Sequence, residues 1–387
     1  MDEVGTDHRA MILIVDDAPA NLRLLSQMLS QQGYGVRAAA SGARALASIA
    51  AEPPDLILLD VRMPGMDGYE VCDRVKADAK THDIPIIFIS ALDATEDKVR
   101  AFAGGGVDYI TKPFQVDEVL ARVRTHLALR QLQRELQEAN QRMEHELRLA
   151  GRLQATFLPD TPPTIPGWQI ALMLQPAGAA SGDFYDIARL SRGRWGILMA
   201  DVVDKGVSAA IYMVLCWSLI RTYAVDYPEH PERVLQEANR RLLATRANEF
   251  VTVFYGVLDP ATGALVYANA GHCPPLVLSA GHGPVRQLAR TGIPLGIDHN
   301  HEWNRAAVEL APGDALVLYT DGITEAQDRT HELLGEERLA RCIEEHRGDS
   351  AQEVMSGILT CRREFVGSAP QSDDIALMVV QRDGGDG

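Results

Sequence analysis

Between Met11 and about Arg124, short apolar runs alternate with amphipathic stretches, the pattern of repeated β-α units in which helices cover a parallel sheet. Five runs predict its strands: 11–15, 36–38, 56–59, 84–89 and 107–110. Turn residues then vanish. The stretch from His126 to Phe157 holds one glycine and no proline among many Leu, Gln, Glu and Arg residues, which predicts a long helix. Its apolar positions Leu129, Leu132, Leu136, Ala139, Met143, Leu147, Ala150, Leu153 and Phe157 step by three or four. That spacing is a coiled-coil seam with one stutter near Met143 to Leu147, and it favours a dimerising linker over an amphipathic helix lying on its own domain.

Prolines between Pro159 and Pro166 break the helix. Strand-like runs then return at 195–199, 251–258, 265–269, 315–319 and 375–380, with helical stretches at 209–225, 231–247 and 351–365. Several connections are too short for a helical crossover, so the strands of this second, α+β domain should be mainly antiparallel. The expected order is a disordered start (1–10), an α/β domain (11–125), the linker (126–158), the α+β domain (159–382) and a disordered tail (383–387).

A chain of 387 residues is too long for one ordinary core, in keeping with two domains. Apolar residues at 46% and charged residues at 23% fit globular folds. The formal charge of −16 repels a phosphate backbone and argues against nucleic acid as a partner. Near the start, Asp2, Glu3, Asp7, His8 and Arg9 leave no apolar stretch of the secretory kind, so a cytoplasmic location is expected. The run 209–220 is interrupted by Ser218 and followed by Arg221. It falls short of the roughly 20 residues that span a bilayer and reads as a buried helix, with no membrane partner. The five cysteines, Cys72, Cys216, Cys273, Cys342 and Cys361, form no CxxC pair and read as reduced thiols.

Chemistry concentrates at strand ends. Asp16 and Asp17 follow the first predicted strand, Asp60 the third, Ser90 the fourth, and Lys112 the fifth. In an open parallel sheet these carboxyl ends converge, and clustered carboxylates repel unless a divalent cation such as Mg²⁺ sits among them. The segments ILIVDD, LILLDVRMPGMDG, PIIFISA and DYITKPF resemble the response-regulator receiver family, whose fold is flavodoxin-like. The resemblance implies that Asp60 accepts a phosphoryl group from a cognate histidine kinase, that Asp17 with Asp16 and the Arg62 carbonyl holds Mg²⁺ beside Asp60, and that Ser90 and Lys112 bind the phosphoryl oxygens. Tyr109 falls at the family's switch aromatic, although a tyrosine at a strand end is also ordinary packing.

In the second domain Asp183, Asp201, Asp321 and Asp373-Asp374 flank apolar runs. Ligation by carboxylate oxygens suits hard ions such as Mg²⁺ or Mn²⁺. The motifs LQATFLP, SGDFYDI, DVVDKGVSAA, ANAGHCPP, GIPLGI, YTDGITEA and SDDIAL resemble the metal-dependent PPM protein phosphatases of the SpoIIE/RsbU type, a β-sandwich flanked by helices. That resemblance implies two Mn²⁺ or Mg²⁺ ions held by Asp183, Asp201, the Val202 carbonyl, Asp321 and Asp373, with Asp374 behind them. It also implies as substrate a phosphorylated STAS-type anti-sigma factor antagonist. The leaving-group proton would come by default from a metal-bound water; His272 is an alternative donor, but it reads more readily as a turn or core histidine. Asp204 stands where the family has a small residue and could slow turnover by repelling phosphate. Gly182, Gly206 and Gly322 read as permitting close turns beside the metals. Two other readings stand beside the phosphatase: a catalytically silent adaptor that binds a sigma-factor regulator, and a DNA-binding regulator, for which no basic recognition helix is evident.

Overall fold

The computed structural model describes residues 9–91, 102, 104–159, 161–203, 206–245, 249–281 and 283–384. The chain divides into two compact units, 1–141 and 142–387.

In the first unit, β1 (Met11–Val15), β2 (Gly35–Ala39), β3 (Leu56–Asp60), β4 (Ile86–Ser90) and β5 (Asp108–Thr111) form one sheet in the order β2-β1-β3-β4-β5, with every pair parallel. Period-2 alternation sends Leu13, Val15, Ile57 and Leu59 to one face, against α2 (Gly42–Ala51) and α3 (Gly68–Ala77). Ile12, Ile14, Leu56 and Leu58 face the other way, against α1 (Pro19–Gln31) and the start of α4 (Val116–Ala155). Both faces are covered, which is why β3 is buried throughout.

The helix expected over 126–157 is the greater part of α4, a single 40-residue helix. It begins inside the first unit because Val119, Leu120 and Val123 are core residues there, and it continues without a break because it contains no proline and a single glycine, Gly151, near its end. Leu129, Leu132, Leu136, Met143 and Leu153 are each at least half exposed.

The second unit stacks two antiparallel five-stranded sheets. One runs β13-β10-β9-β8-β7 and the other β12-β11-β14-β15-β6, with β6 Trp168–Gln175, β7 Asp183–Arg189, β8 Trp195–Val202, β9 Val251–Leu258, β10 Ala264–Ala270, β11 Leu276–Leu278, β12 Arg286–Gln287, β13 Ala306–Glu309, β14 Ala315–Tyr319 and β15 Ile375–Arg382. Tyr185, Ile187, Ile197, Met199, Leu316, Leu318, Ala376 and Met378 meet between the sheets. On one outer face Phe184, Leu198 and Ala200 pack against α5 (Val207–Asp226) and α6 (Pro231–Ala244). On the other, Val317, Tyr319 and Leu377 pack against α8 (Gly335–Glu345) and α9 (Ala351–Val366). A one-turn helix, α7 (Asp321–Thr324), follows β14.

Two expectations are corrected. The apolar run 209–220 belongs to a longer helix, and Ser208–Asp226 is long and apolar enough, by length and composition alone, to cross a membrane. Its Tyr212, Met213, Cys216 and Ile220 lie in the core, whereas Ile211 and Val225 are exposed. Asp383, placed in the disordered tail, is tied down: its N–H donates to the Gly167 carbonyl at 2.9 Å, and its side chain accepts from Gln169.

A charged pair fastens α5 to β7. Asp186 on β7 is 2% exposed and accepts two bonds from Arg221, at 2.6 and 3.0 Å. The Arg221 guanidinium also lies 4.7 Å from the Trp217 ring centroid. Arg221→Ala strands Asp186 as a buried, unpaired charge. Such a loss costs about 3–5 kcal/mol when both partners are buried, and the half-exposed guanidinium places this case at or below the lower end. Thermal melting of the full chain should show a lower midpoint for Arg221→Ala, largely recovered by adding Asp186→Asn. An unchanged midpoint in the single variant would contradict this reading.

Candidate functional site

The strand ends assemble two carboxylate clusters, one in each unit. In the first, one oxygen from each of Asp16, Asp17 and Asp60 lies within 4.8 Å of the others. Asp16 and Asp60 are buried while Asp17 is exposed. Lys112 reaches across from the end of β5 and donates to Asp16 at 2.8 Å and Asp60 at 2.7 Å. Burial pushes the Asp60 carboxyl above its usual range, Lys112 pulls it back, and Asp16 adds repulsion. Burial works against the Lys112 charge, but the bonds to both aspartates outweigh it and hold its pKa up.

The Arg62 N–H approaches Asp60 Oδ1 at 3.4 Å. Ser90, the last residue of β4, is 1% exposed, and Tyr109 on β5 is 6% exposed, in the core cluster that holds Phe88, Tyr69 and Val61. Asn21, which the motifs did not single out, donates to both oxygens of Asp16 from the first turn of α1. The only sequence signal for it is its place five residues after Asp16 on the following helix.

In the second unit, alternation explains the convergence. Asp183 shares the inward face of β7 with Tyr185 and Ile187, and Asp201 shares that of β8 with Ile197 and Met199. The two are direct partners in the β7–β8 ladder. Asp321 opens α7 after β14, and Asp373 and Asp374 lead into β15. Burial raises the Asp183 carboxyl well above the usual range, and Asp201, Asp374 and Asp321 add repulsion. Asp201 is pushed up to about 7 by burial, then by the charges of Asp321, Asp373 and Asp374.

Neutral groups hold these acids in place. Thr320 is fully buried and donates to Asp183 Oδ2 at 2.6 Å, while its Oγ1 accepts from the Ala376 N–H at 2.9 Å, joining the two sheets. Asp374 accepts from the Ala177 N–H at 2.7 Å and from the Ser181 hydroxyl and Gly182 N–H at 2.8 Å, gathering the loop before Asp183. Asp373 accepts from the Asp374 N–H. A Cβ on Gly322 would stand 1.8 Å from the Asp374 carbonyl oxygen, so only glycine fits there. Gly206 has a φ of +88°. Thr320 and Ser181 lie inside the YTDG and SGD motifs, yet a hydroxyl beside a carboxylate offers no distinctive spacing to read.

His272 takes its core reading and not the alternative of a proton donor. It is 1% exposed, its Nδ1 lies 2.9 Å from Thr252 Oγ1, and burial pulls its pKa down to about 3, which leaves it neutral inside the fold. Asp204 and Lys205 lie outside the described residues.

All donors at both clusters are oxygens, several are buried, and at Asp60, Asp183 and Asp201 burial raises the carboxyl pKa and neighbouring carboxylates add repulsion. That donor set fits hard divalent cations, which need oxygen ligands and relieve the repulsion.

A family profile described as the response regulator receiver domain matches residues 12–124, and one described as Stage II sporulation protein E (SpoIIE) matches residues 191–383. The phosphoserine phosphatase RsbU of Bacillus subtilis (strain 168) is 32% identical over 265 residues, which cover 66% of this chain and 74% of RsbU. The chain therefore belongs to the SpoIIE family of PP2C-type phosphatase domains, here joined to a response-regulator receiver. Protein IcfG of Synechocystis is 28% identical over 333 residues, 76% of this chain, and the chain spans about half of its length (51%). The SiaA-PP2C domain of Pseudomonas aeruginosa superposes with a TM-score of 0.57 at 22% identity, over 63% of this chain and 99% of that one, a likeness of fold.

A carboxyl whose pKa is raised on folding binds more protons in the native than in the unfolded state, so stability falls as pH climbs from its unfolded toward its folded value. In chelator, the midpoint of the parent's phosphatase-domain transition should fall between about pH 4 and pH 7, and Asp201→Asn should melt higher than the parent at pH 8. Thermal scans across that range check both. A flat parental profile would contradict the electrostatic account.

Proposed function

We propose that this chain is a two-component response regulator whose output is a Mn²⁺- or Mg²⁺-dependent serine/threonine protein phosphatase, controlled by phosphorylation of Asp60 and acting in the cytoplasm. The observation that carries the reading is the pairing of Asp183 with Asp201 inside the sandwich under the charges of Asp321 and Asp373. A domain that only binds partners has no use for so costly a cluster, which tells against a silent adaptor.

In the receiver, Asp60 takes the phosphoryl group from a cognate histidine kinase. Lys112, already bonded to Asp60 and Asp16, is placed to neutralise the added charge together with Ser90, while Asp16, Asp17 and the Arg62 carbonyl hold Mg²⁺. Tyr109 then repacks with the new hydrogen bonding at Ser90, shifting a two-state surface.

In the output domain, Asp183, Asp201, Asp321, Asp373 and the Val202 carbonyl hold two ions. When bound, they supply a water of lowered pKa and counter-charge for the phosphoryl oxygens. Thr320 fixes the rotamer of Asp183, and Asp374 fixes the loop that delivers it. The substrate class favoured by the RsbU likeness is a phosphorylated STAS-type anti-sigma factor antagonist. The exposed Leu129, Leu132, Leu136 and Met143 on α4 support a homodimer through a coiled coil of this helix, which links the receiver to the output domain.

Asp201→Asn and Asp321→Asn should each lower Mn²⁺-dependent hydrolysis of a phosphoserine peptide at least about a hundredfold, since each removes a carboxylate that would hold the cations whose charge offsets the transition state's own. Both variants should still take up label on Asp60 from a small phosphodonor and Mg²⁺, as located by mass spectrometry, while Asp60→Ala takes up none. Turnover close to that of the parent in either phosphatase variant, or undiminished turnover in chelator, would contradict the assignment.

A further inference from the structure

The motif LQATFLP carries no role in the chemistry above, yet one of its residues sits in an unusual place. Gln154 lies in the last turn of α4, where Arg152, Leu153 and Ala155 are exposed, but is itself only 6% exposed. Both ends of its amide engage one residue's main chain: Oε1 accepts from the Ser181 N–H at 3.0 Å, and Nε2 donates to the Ser181 carbonyl. One turn earlier, a Cβ on Gly151 would stand 1.8 Å from the Ala179 carbonyl oxygen, so glycine lets the helix lie against this loop.

Ser181 is the hub of the loop that delivers Asp183. Its hydroxyl donates to Asp374 at 2.8 Å and accepts from the Asp183 N–H at 3.0 Å, while the next N–H, of Gly182, also goes to Asp374. Hydrogen bonds therefore lead from the helix side chain to the Asp183 backbone: two between Gln154 and Ser181, then one from the Asp183 N–H to the Ser181 hydroxyl, which is itself anchored on Asp374. Without Gln154, the buried Ser181 N–H and carbonyl lose the partner that the amide supplies, a loss the loop can offset only by moving.

We infer that Gln154 is a positioning residue for the divalent-cation site, setting the placement of Ser181–Asp183 so that cation affinity follows the seating of the last turn of α4. This rests on the proposed function and extends it to a residue outside the acid cluster. Partners one shell removed from a metal commonly change affinity by about 10- to 100-fold when lost.

The test uses the full chain and Mn²⁺ alone as probe, with free Mn²⁺ read by electron paramagnetic resonance, independent of turnover. Gln154→Met, of similar length but without hydrogen-bonding atoms, should weaken Mn²⁺ binding by about tenfold or more, while turnover on a phosphoserine peptide at saturating Mn²⁺ stays within about twofold of the parent. Asp60 labelling should be unchanged, showing a folded receiver. If Gln154→Met does not fold, Gln154→Glu, which keeps an acceptor for the Ser181 N–H but opposes the carbonyl, should give the same split. Unchanged Mn²⁺ affinity in the folded variant would reduce Gln154 to a mere anchor and overturn the inference, as would a turnover defect that saturating Mn²⁺ does not repair. If the parent itself fails to bind Mn²⁺, the proposed function falls with it, whereas parental binding with no effect of the variant removes the inference alone.

Discussion

Carboxylates crowded into a low-dielectric site repel one another, and the protein has to spend packing and hydrogen bonds to keep them together. Both halves of this chain are organised around that constraint. In the receiver the opposing force is partly internal, because Lys112 bridges Asp16 and Asp60 and Asn21 holds Asp16 from the side. In the phosphatase domain Asp183 and Asp201 face each other across a ladder with raised pKa values, the Thr320 hydroxyl holding Asp183 and main-chain amides holding Asp374 behind it. The first arrangement suits a site that must accept and release a dianionic group. The second leaves a repulsion that divalent cations, which its oxygen donors fit, would relieve.

The sandwich makes the second arrangement possible. Alternation places Asp183 and Asp201 on the inward faces of β7 and β8, while Thr320 and Asp374 extend the inward-facing series of β14 and β15 from the opposing sheet. Thr320 joins the sheets through Asp183 and Ala376. The position of Asp183 thus depends on the register of both sheets and on the loop 176–182, and the loop in turn is held by Asp374 from one side and Gln154 from the other. A change in the seating of α4 reaches the acid cluster through that loop.

Much of this was legible in the sequence. Apolar runs bounded by acids located the receiver strands within two residues and several strands of the sandwich, because strands buried on both faces leave near-continuous apolar segments. The acids themselves stood out because carboxylates at the ends of such runs have few structural uses. Strands β6 and β7 escaped notice because their alternation mixes Gln169, Asp183, Asp186 and Arg189 with apolar residues. The unbroken α4 could not be read because the expected boundary near Thr125 has no chemical mark, the helix simply passing from one environment to another. Nor could the Asp186–Arg221 pair be foreseen, since it depends on which segments the sheets bring together.

The central claim is that phosphorylation of Asp60 is felt at the Asp183 loop through α4. Measuring phosphoserine hydrolysis at subsaturating Mn²⁺, before and after phosphorylation of Asp60, tests it most directly in the parent and in variants carrying two or four extra residues after Met143. Two residues rotate the downstream helix by about 200°, whereas four add only a further stutter to the seam. The account predicts that phosphorylation activates the parent by roughly five- to hundredfold, the range of about 1–3 kcal/mol of coupling, and that the two-residue insertion loses this response far more than the four-residue one. Equal responses in all three chains, or none in the parent, would contradict it.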